Sequence, residues 1–171
     1  MEKNGKKWKK VENYSYICSL YFAMIIGEHI TKLDDKGRLV FPAPLKALAE
    51  SESTGKLRFV VKKNLFRNCL EMYIDDEWKR QSEKVRARLN PFNREHDKFW
   101  SAYMSDTAIV EPDEKMGRIQ IPKNLLEMID VRKEVVFASK DYKVEVWAKE
   151  HFQNSRISES EQVELAEKIL G

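Results

Sequence analysis

Two arginines in this chain each follow a glycine directly, in stretches of sequence that read alike. Arg38 follows Gly37 near the start of the chain, and Arg118 follows Gly117 in its second half. Glycine accepts a backbone conformation with positive φ, so each pair predicts a tight turn that exposes its arginine at the start of a strand. A planar guanidinium held there can bridge O6 and N7 of a guanine in the major groove, or clamp a phosphate. The chemistry that these residues suggest is contact with a nucleic acid.

Charged neighbours complete each Gly-Arg turn. Lys36 and Lys115 precede the glycines and are predicted phosphate contacts, because phosphate contacts position a protein on DNA. An acid stands four residues before each arginine, Asp34 in the first turn and Glu114 in the second, and is predicted to orient the guanidinium. The complete predicted site is Asp34, Lys36, Gly37, Arg38, Glu114, Lys115, Gly117 and Arg118. The same residues also allow a structural interpretation, in which an acid–arginine pair only staples a hairpin.

The two turns belong to an internal repeat. The matched segments are 34–42 with 114–122, 59–61 with 134–136, 70–73 with 144–147, and Trp78 with Phe152. Two copies are too few for a solenoid, which stacks three or more units. The repeat therefore predicts a pseudo-twofold domain in which each half completes the core of the other.

The paired acid-x-x-Gly-Arg motifs, their spacing and the aromatic strand ends resemble the MraZ family over residues 24–152. The resemblance implies an α+β, β-rich fold: a pseudo-twofold swapped-hairpin AbrB-like β-barrel built from two internal repeats, with added helices. The second turn departs from the family pattern, since its aligned acid is Glu114, with Asp113 beside it, and Met116 replaces a polar or basic residue.

The same resemblance implies a function. It indicates a DNA-binding transcriptional regulator that acts at the promoter of the division and cell-wall gene cluster, in the cytoplasm at the nucleoid. The implied partners are double-stranded DNA with short direct repeats and further copies of the chain, assembled as a ring. A ring would present the Gly-Arg turns repeatedly and gain affinity by effective concentration.

Overall charge gives DNA binding little support. The net charge of the 171 residues is +3, and the five lysines and two glutamates of residues 1–23 account for all of it. Residues 24–171 are therefore balanced, and a DNA-binding surface must come from segregation of charge in the fold.

Residues 1–23 need a separate interpretation. A lysine-rich start followed by an apolar run over residues 14–26 imitates a signal peptide. That run is shorter than the roughly 20 apolar residues of a membrane-spanning helix, and it lacks a clear small-x-small cleavage site. We predict that residues 1–23 are a disordered extension or a mis-assigned start. A membrane-associating or DNA-tracking basic tail is the alternative.

The remaining chain is predicted to alternate short strands with helices. The predicted units are 24–76 as the first AbrB-like repeat, 77–105 as linking helices, 106–152 as the second repeat and 153–171 as a C-terminal helix or tail. Asp75 is a predicted N-cap of a helix over 76–89, and Asn90 with Pro91 is predicted to begin the next helix. Aromatic residues at helical spacing in that helix predict packing in the core or between subunits. They are Phe92, His96, Phe99, Trp100 and Tyr103.

The sequence contains no motif that indicates an enzyme or a metal-binding protein. Cys18, Cys69 and three scattered histidines give neither a disulfide framework nor metal-ligand spacing. No glycine-rich phosphate loop or nucleophile–histidine arrangement is present in the sequence, so we predict no enzyme, cofactor, metal, membrane association or small-molecule substrate. The alternative is an oligomeric protein-interaction scaffold or an antitoxin-like AbrB-type regulator. A scaffold would tolerate Arg38→Ala, whereas a DNA reader would lose most of its binding.

Overall fold

The computed structural model describes residues 27–53 and 55–171, which form a β-rich mixed α/β domain. The strands are β1 (Glu28–Lys32), β2 (Leu39–Val40), β3 (Phe59–Lys63), β4 (Leu70–Ile74), β5 (Thr107–Val110), β6 (Arg118–Ile119), β7 (Glu134–Lys140) and β8 (Lys143–Ala148). The helices are α1 (Ala43–Glu52), α2 (Asp75–Arg86), α3 (Arg94–Met104), α4 (Lys123–Glu127), α5 (Lys149–Asn154) and α6 (Glu159–Leu170). The predictions for residues 1–23 lie outside the described residues.

Six strands form one antiparallel sheet in the order β1-β7-β8-β4-β3-β5, and β2 pairs with β6 in a separate two-stranded sheet. The first strand of each repeat pairs with the other repeat: β1 lies beside β7, and β5 lies beside β3. The hairpins β3–β4 and β7–β8 meet through β4 and β8. Neither repeat therefore has a complete sheet of its own.

The strand register shows where the two repeats are related. Glu71 faces Glu145 at the middle of the β4–β8 pair, and Leu39 faces Ile119 in the β2–β6 pair. Each of these residues therefore faces its own counterpart from the other repeat. A pseudo-twofold axis passes through both positions.

The register also corrects one segment of the predicted repeat. Residues 59–61 pair with 72–74 in the first hairpin, and residues 135–137 pair with 146–148 in the second. Residues 59–61 therefore correspond to 135–137, and the predicted match with 134–136 is wrong by one residue. A shift of one residue moves every side chain of a strand to the opposite face, so the register follows the buried residues.

The predicted closed barrel is wrong, because the six-stranded sheet is open in the described part of the chain. Its two edges are β1 and β5, which lie at opposite ends of the strand order. The strands after the turns, β2 and β6, are only two residues long and pair with each other. Pro42 and Pro122 follow soon after them, and a proline cannot donate to a ladder. These strands are therefore too short to join the two edges.

One face of the large sheet carries the main core. Strand side chains alternate between faces, so Leu70 and Met72 of β4 pack in this core while Glu71 lies on the other face. Leu45 of α1 and Leu125 of α4 cover the core, and each is only 1% exposed. Burying one leucine side chain contributes about 1.5–3 kcal/mol, so the two helices after the Gly-Arg turns are held firmly.

The predicted N-cap of α2 is wrong. The helix begins at Asp75 itself, with Ile74 at the N-cap position and no side-chain cap. The strand β4 runs into the helix without a connecting residue, and the Asp75 carboxylate instead pairs with Arg58 at 2.5 Å and with Lys79 at 3.3 Å. These contacts tie the start of the helix to Arg58, just before β3, and to the next turn of the helix itself.

The next helix, α3, begins later than predicted. It starts at Arg94, and the side chain of Asn93 accepts hydrogen bonds from the backbone N–H groups of the second and third helical residues. Asn90 accepts instead from the backbone N–H of Phe92, at 3.0 Å, which closes a turn before the helix. Asparagine stabilises both kinds of local structure, and its type alone does not distinguish them.

The aromatic residues of this region divide between core and surface. Tyr103 is buried and stacks on Trp78 with ring centroids 5.8 Å apart, and Trp100 stacks on Tyr103 at 5.6 Å. The prediction of core packing is confirmed for these rings. Phe92 is 96% exposed and Phe99 is 40% exposed in the single chain, so Phe92 does not pack in the core, and its packing between subunits stays a prediction.

Candidate nucleic-acid interface

The first Gly-Arg turn is closed by its backbone and by one carboxylate. The Asp34 N–H donates to the Arg38 carbonyl and the Gly37 N–H donates to the Asp34 carbonyl, both at 2.9 Å. The Asp34 carboxylate also accepts from the backbone N–H groups of Lys36 and Arg38, each at 2.9 Å. Gly37 has a φ of +72°, which a side chain would strain. The turn therefore depends on both its glycine and its acid.

The same carboxylate holds the guanidinium of Arg38. The Arg38 Nε donates to Asp34 Oδ2 at 2.9 Å, and Nη2 lies 2.8 Å from that oxygen. The hydrogen bonds from the Arg38 backbone, the Arg38 side chain and the Lys36 backbone lower the pKa of Asp34 from 3.8 to about 2. Asp34 is therefore ionised at neutral pH, and the half-exposed guanidinium is held in one orientation.

The second turn is closed by Asp113 rather than by Glu114. The Asp113 N–H donates to the Arg118 carbonyl at 2.8 Å, and the Gly117 N–H donates to the Asp113 carbonyl at 3.2 Å. The Asp113 carboxylate accepts from the backbone N–H of Met116 at 2.6 Å, and this bond is the main reason why its pKa is lowered. Glu114 is exposed, and it forms no hydrogen bond with Arg118 in the described structure.

One additional residue in the second turn explains the difference. The first turn runs from Asp34 to Gly37, whereas the second runs from Asp113 to Gly117 and is one residue longer. Matched residues before the turn, such as Asp34 and Asp113, are therefore one residue closer in sequence than matched residues after it, such as Arg38 and Arg118. The pairing of β1 with β7 and of β5 with β3 shows the same difference. The prediction of Glu114 as the acid of the second turn assumed that this spacing is constant. The structure gives that place to Asp113.

The β2–β6 pair brings the two turns together. Val40 faces Arg118 in this pair, and the Phe41 N–H donates to the Gly117 carbonyl at 3.0 Å. Arg118 Nη1 lies 3.8 Å from Asp34 Oδ2, the same oxygen that binds Arg38. Two arginines from different repeats thus approach one carboxylate oxygen, and the three groups together carry a net positive charge.

The two predicted phosphate contacts lie at the surface of the turns. Lys36 and Lys115 are exposed, one in each turn. Because of the additional residue, Lys115 stands three positions before its arginine and Lys36 only two. The two turns therefore present the same types of charge at different distances from the arginine.

A lysine of the first repeat covers the second turn. The Lys46 side chain, on α1, packs against Gly117, where an added Cβ would lie 3.3 Å from Lys46 Cδ and 3.6 Å from Lys46 Nζ. Gly117 has a φ of +62°. An added Cβ at Gly37 would meet nothing within 4 Å, so the first turn has no such cover. The repeat alignment did not single out Lys46.

Comparison with known sequences identifies the family. The family model described as "MraZ protein, putative antitoxin-like" matches residues 24–99 and 104–168. The chain belongs to the MraZ family. It is 32% identical over 145 residues to a protein of Bacteroides thetaiotaomicron named Transcriptional regulator MraZ. The aligned region covers 85% of this chain and 91% of that protein.

Two further MraZ proteins are as similar. The chain is 35% identical over 150 residues to the Transcriptional regulator MraZ of Flavobacterium psychrophilum, with 86% of this chain and 92% of that protein covered. It is 36% identical over 150 residues to the protein of the same name from Pelotomaculum thermopropionicum, which is covered to 96%. These MraZ proteins are named as transcriptional regulators, not as enzymes.

Metal-binding clusters and membrane-spanning helices are absent from the described part of this MraZ-family chain. Within residues 27–53 and 55–171, no three His, Cys, Asp or Glu side chains are grouped so that they could hold a metal ion. No helix in these ranges is long and apolar enough to cross a membrane. Cys69 is buried, and its burial raises the pKa of the thiol to about 12, so the thiol stays protonated.

Proposed function

We propose that the protein is a DNA-binding transcriptional regulator and that its two Gly-Arg turns form the DNA-contacting surface. The relatives named Transcriptional regulator MraZ support the function. The observation that carries the site is the convergence of Arg38 and Arg118 on Asp34, at 2.8 and 3.8 Å. Arg38, just before β2, and Arg118, at the start of β6, form a compact cationic surface that can face one DNA groove.

The two arginines have the chemistry that base reading requires. A guanidinium presents a planar fork of donors that fits O6 and N7 of guanine. The Asp34 carboxylate occupies Nε and one Nη of Arg38, so the remaining donors point in a fixed direction. Lys36 and Lys115 would contact phosphates on either side, which position the protein without reading sequence.

We further propose that the target is the promoter of the division and cell-wall gene cluster, and that the chain assembles into a ring at the nucleoid. The family resemblance supports both points. Phosphate contacts of one chain alone give salt-sensitive, non-specific binding in the micromolar range or weaker. A ring would repeat the two turns and so favour promoters with short direct repeats. The exchange of first strands between the repeats supports the AbrB-like swapped-hairpin relationship.

A second candidate function is an oligomeric protein-interaction scaffold or an antitoxin-like regulator. The exposed side chains of Phe66 (93%) and Phe92 (96%) favour it, because aromatic rings of this kind anchor protein–protein contacts. In that case the Asp34–Arg38 pair would only staple its turn.

Binding of the full chain to DNA tests the proposed function. The probe is a duplex from upstream of the protein's own gene, and the control is a duplex of the same composition in scrambled order, each in gel shifts at two salt concentrations. A regulator binds the upstream duplex more tightly at both salts. Equal affinity for the two duplexes would contradict sequence-specific regulation. No binding at low salt would favour the scaffold.

Replacement of Asp34 by asparagine tests whether DNA recognition depends on the orientation of the arginines or only on their positive charge. Asp34→Asn keeps an oxygen for the Lys36 and Arg38 backbone N–H groups but removes the charge that holds both guanidinium groups. We expect the ratio of affinities for upstream and scrambled DNA to fall about fivefold or more, because one well-placed arginine–guanine pair gives about 1–3 kcal/mol of discrimination. Fluorescence anisotropy with both duplexes measures this ratio.

Asp113→Asn is the matched control for that change, since Asp113 hydrogen-bonds backbone groups of its turn. It is expected to change the ratio much less. A ratio that stays at the wild-type value in Asp34→Asn would show that Asp34 does not orient a base-reading arginine.

A further inference from the structure

The two Gly-Arg turns exchange side chains across the pseudo-twofold axis. Arg118 of the second repeat reaches towards Asp34 of the first turn, with Nη1 3.8 Å from Oδ2. Lys46 of the first repeat lies over Gly117 of the second turn. Each turn therefore carries a cation that the other repeat supplies, but the two cations are different.

The contact of Lys46 has no counterpart in the first turn. Leu45 and Leu125 occupy equivalent buried positions on α1 and α4, so Lys46 corresponds to Leu126. Leu126 is buried in the core at 6% exposure, whereas the Lys46 side chain is 28% exposed. The second turn alone has a lysine packed against its glycine.

The second turn needs an additional cation more than the first. Its arginine reaches towards the other turn, and Lys115 is one residue further from the arginine than Lys36 is in the first turn. Each turn has two acids, Asp34 and Asp35 in the first and Asp113 and Glu114 in the second, and one lysine. Because Arg118 reaches towards the first turn, Lys115 alone would balance the acids of the second turn without Lys46.

The Lys46 ammonium group can turn to a phosphate at little cost. Its ion-pair partner is Glu50 on the same helix, with Nζ 3.7 Å from Oε1 and a Glu50 side chain that is 55% exposed. Exposed pairs of this kind contribute little to stability and are screened by salt. An ammonium group has three donors, and one lysine is a strong point contact for a phosphate.

We propose that Lys46 contacts the DNA backbone beside the second Gly-Arg turn, so that the two turns bind DNA unequally. The proposal rests on the proposed function. Arg38 and Arg118 then read bases, Lys36 serves the first turn, and Lys46 together with Lys115 serves the second. The pseudo-twofold protein would therefore prefer one orientation on an asymmetric binding site.

The salt dependence of DNA affinity tests the role of Lys46. Each phosphate contact contributes about 0.9 to the slope of log K against log salt. In the full chain, Lys46→Gln is therefore expected to reduce the magnitude of that slope by about 0.9 for each subunit that contacts the DNA, so the advantage of the wild type shrinks about threefold per contacting subunit between ~50 and ~200 mM salt. Affinities for the upstream and scrambled duplexes should fall by the same factor, since a phosphate contact carries no sequence information. Lys46→Arg should restore the slope.

Lys123→Gln is the matched control, because Lys123 lies on α4 and pairs with Glu127 four residues on, at 3.3 Å, as Lys46 does with Glu50. Its slope should equal that of the wild type. A Lys46→Gln slope equal to the Lys123→Gln slope would overturn the proposal, while wild-type binding to upstream DNA would keep the proposed function. Failure of the wild type to bind either duplex would overturn both. Thermal unfolding of each variant checks that the turn remains folded.

Discussion

A chain that carries both Arg38→Ala and Arg118→Ala is expected to lose at least about fivefold of its affinity for specific DNA, because a single guanine-reading arginine already contributes about 1–3 kcal/mol. Of the single changes, Arg38→Ala should cost more. Two nitrogens of Arg38 lie within 2.9 Å of Asp34, whereas Arg118 approaches the same oxygen only to 3.8 Å. Dissociation constants from fluorescence anisotropy on the upstream duplex measure these losses.

The two losses should not add, because both arginines share Asp34. When Arg38 is removed, the carboxylate retains Arg118 as its remaining arginine and draws it away from the DNA. We expect a coupling free energy of about 0.5–3 kcal/mol in the double-mutant cycle, as for residues in one ion-pair network. Additive losses would mean that Asp34 does not connect the two arginines.

Arg156→Ala is the control for the loss of an arginine–carboxylate pair as such. Arg156 is exposed and donates two hydrogen bonds to Glu28, at 2.5 and 2.6 Å, outside both turns. Its DNA affinity should match the wild type. Arg38→Ala could instead lower the unfolding temperature and bind DNA as tightly as the Arg156→Ala control. The Asp34–Arg38 pair would then only stabilise its turn, and the proposed site would be wrong.

The internal repeat made much of the fold predictable. The matched segments 59–61, 70–73, 134–136 and 144–147 all lie on observed strands, and a proline follows each of the short strands after the Gly-Arg motifs. Residue types carry this information, because a strand buries alternate side chains and a proline ends a ladder. The family followed from the same residues and agrees with the family match.

The acid of the second turn could not be predicted from spacing. A turn can accept one more residue without a change in the strands on either side, so the assumption of a constant spacing between the repeats pointed to Glu114. Only the backbone hydrogen bonds of Asp113 show which acid closes the turn. The sequence did carry a hint, since two acids stand side by side at positions 113 and 114.

The contacts between the repeats were beyond sequence reasoning as well. Lys46 reaches Gly117, and Arg118 reaches Asp34, because the β2–β6 register places the turns side by side. These partners are far apart along the chain, and a single sequence does not show which distant residues are in contact. The closed barrel was predicted by analogy, and the length of β2 and β6 decides against it.

The repeats are also joined by two buried carboxylates on the face of the sheet opposite to the main core. Glu71 and Glu145 face each other across β4 and β8, and they are only 9% and 4% exposed. Like charges directly opposite each other destabilise a strand pair unless each has its own cation. Arg67 of the first repeat pairs with Glu145, and Lys143 of the second repeat pairs with Glu71. Each repeat therefore supplies a cation to the acid of the other, and Lys140 of the second repeat also lies 3.6 Å from Glu145.

The replacement Glu145→Ala is expected to lower the free energy of unfolding by about 1–4 kcal/mol, of which the loss of the ion pair contributes at most about 1 kcal/mol, because the Arg67 side chain is 38% exposed. It leaves Arg67 without its carboxylate, and it removes the acceptor of the Trp147 indole N–H, which donates to Glu145 at 3.1 Å. A buried donor without an acceptor costs about 1–3 kcal/mol of this total. Urea unfolding followed by circular dichroism measures the change.

The isosteric replacement Glu145→Gln separates these two contributions. The amide oxygen still accepts from Trp147, and the repulsion from Glu71 disappears, but Arg67 loses its counter-charge. We therefore expect Glu145→Gln to be clearly more stable than Glu145→Ala, with an unchanged dependence of stability on urea. If Glu145→Ala unfolded at the wild-type urea concentration, the exchanged ion pairs would contribute nothing net, and the main core alone would hold the two repeats together.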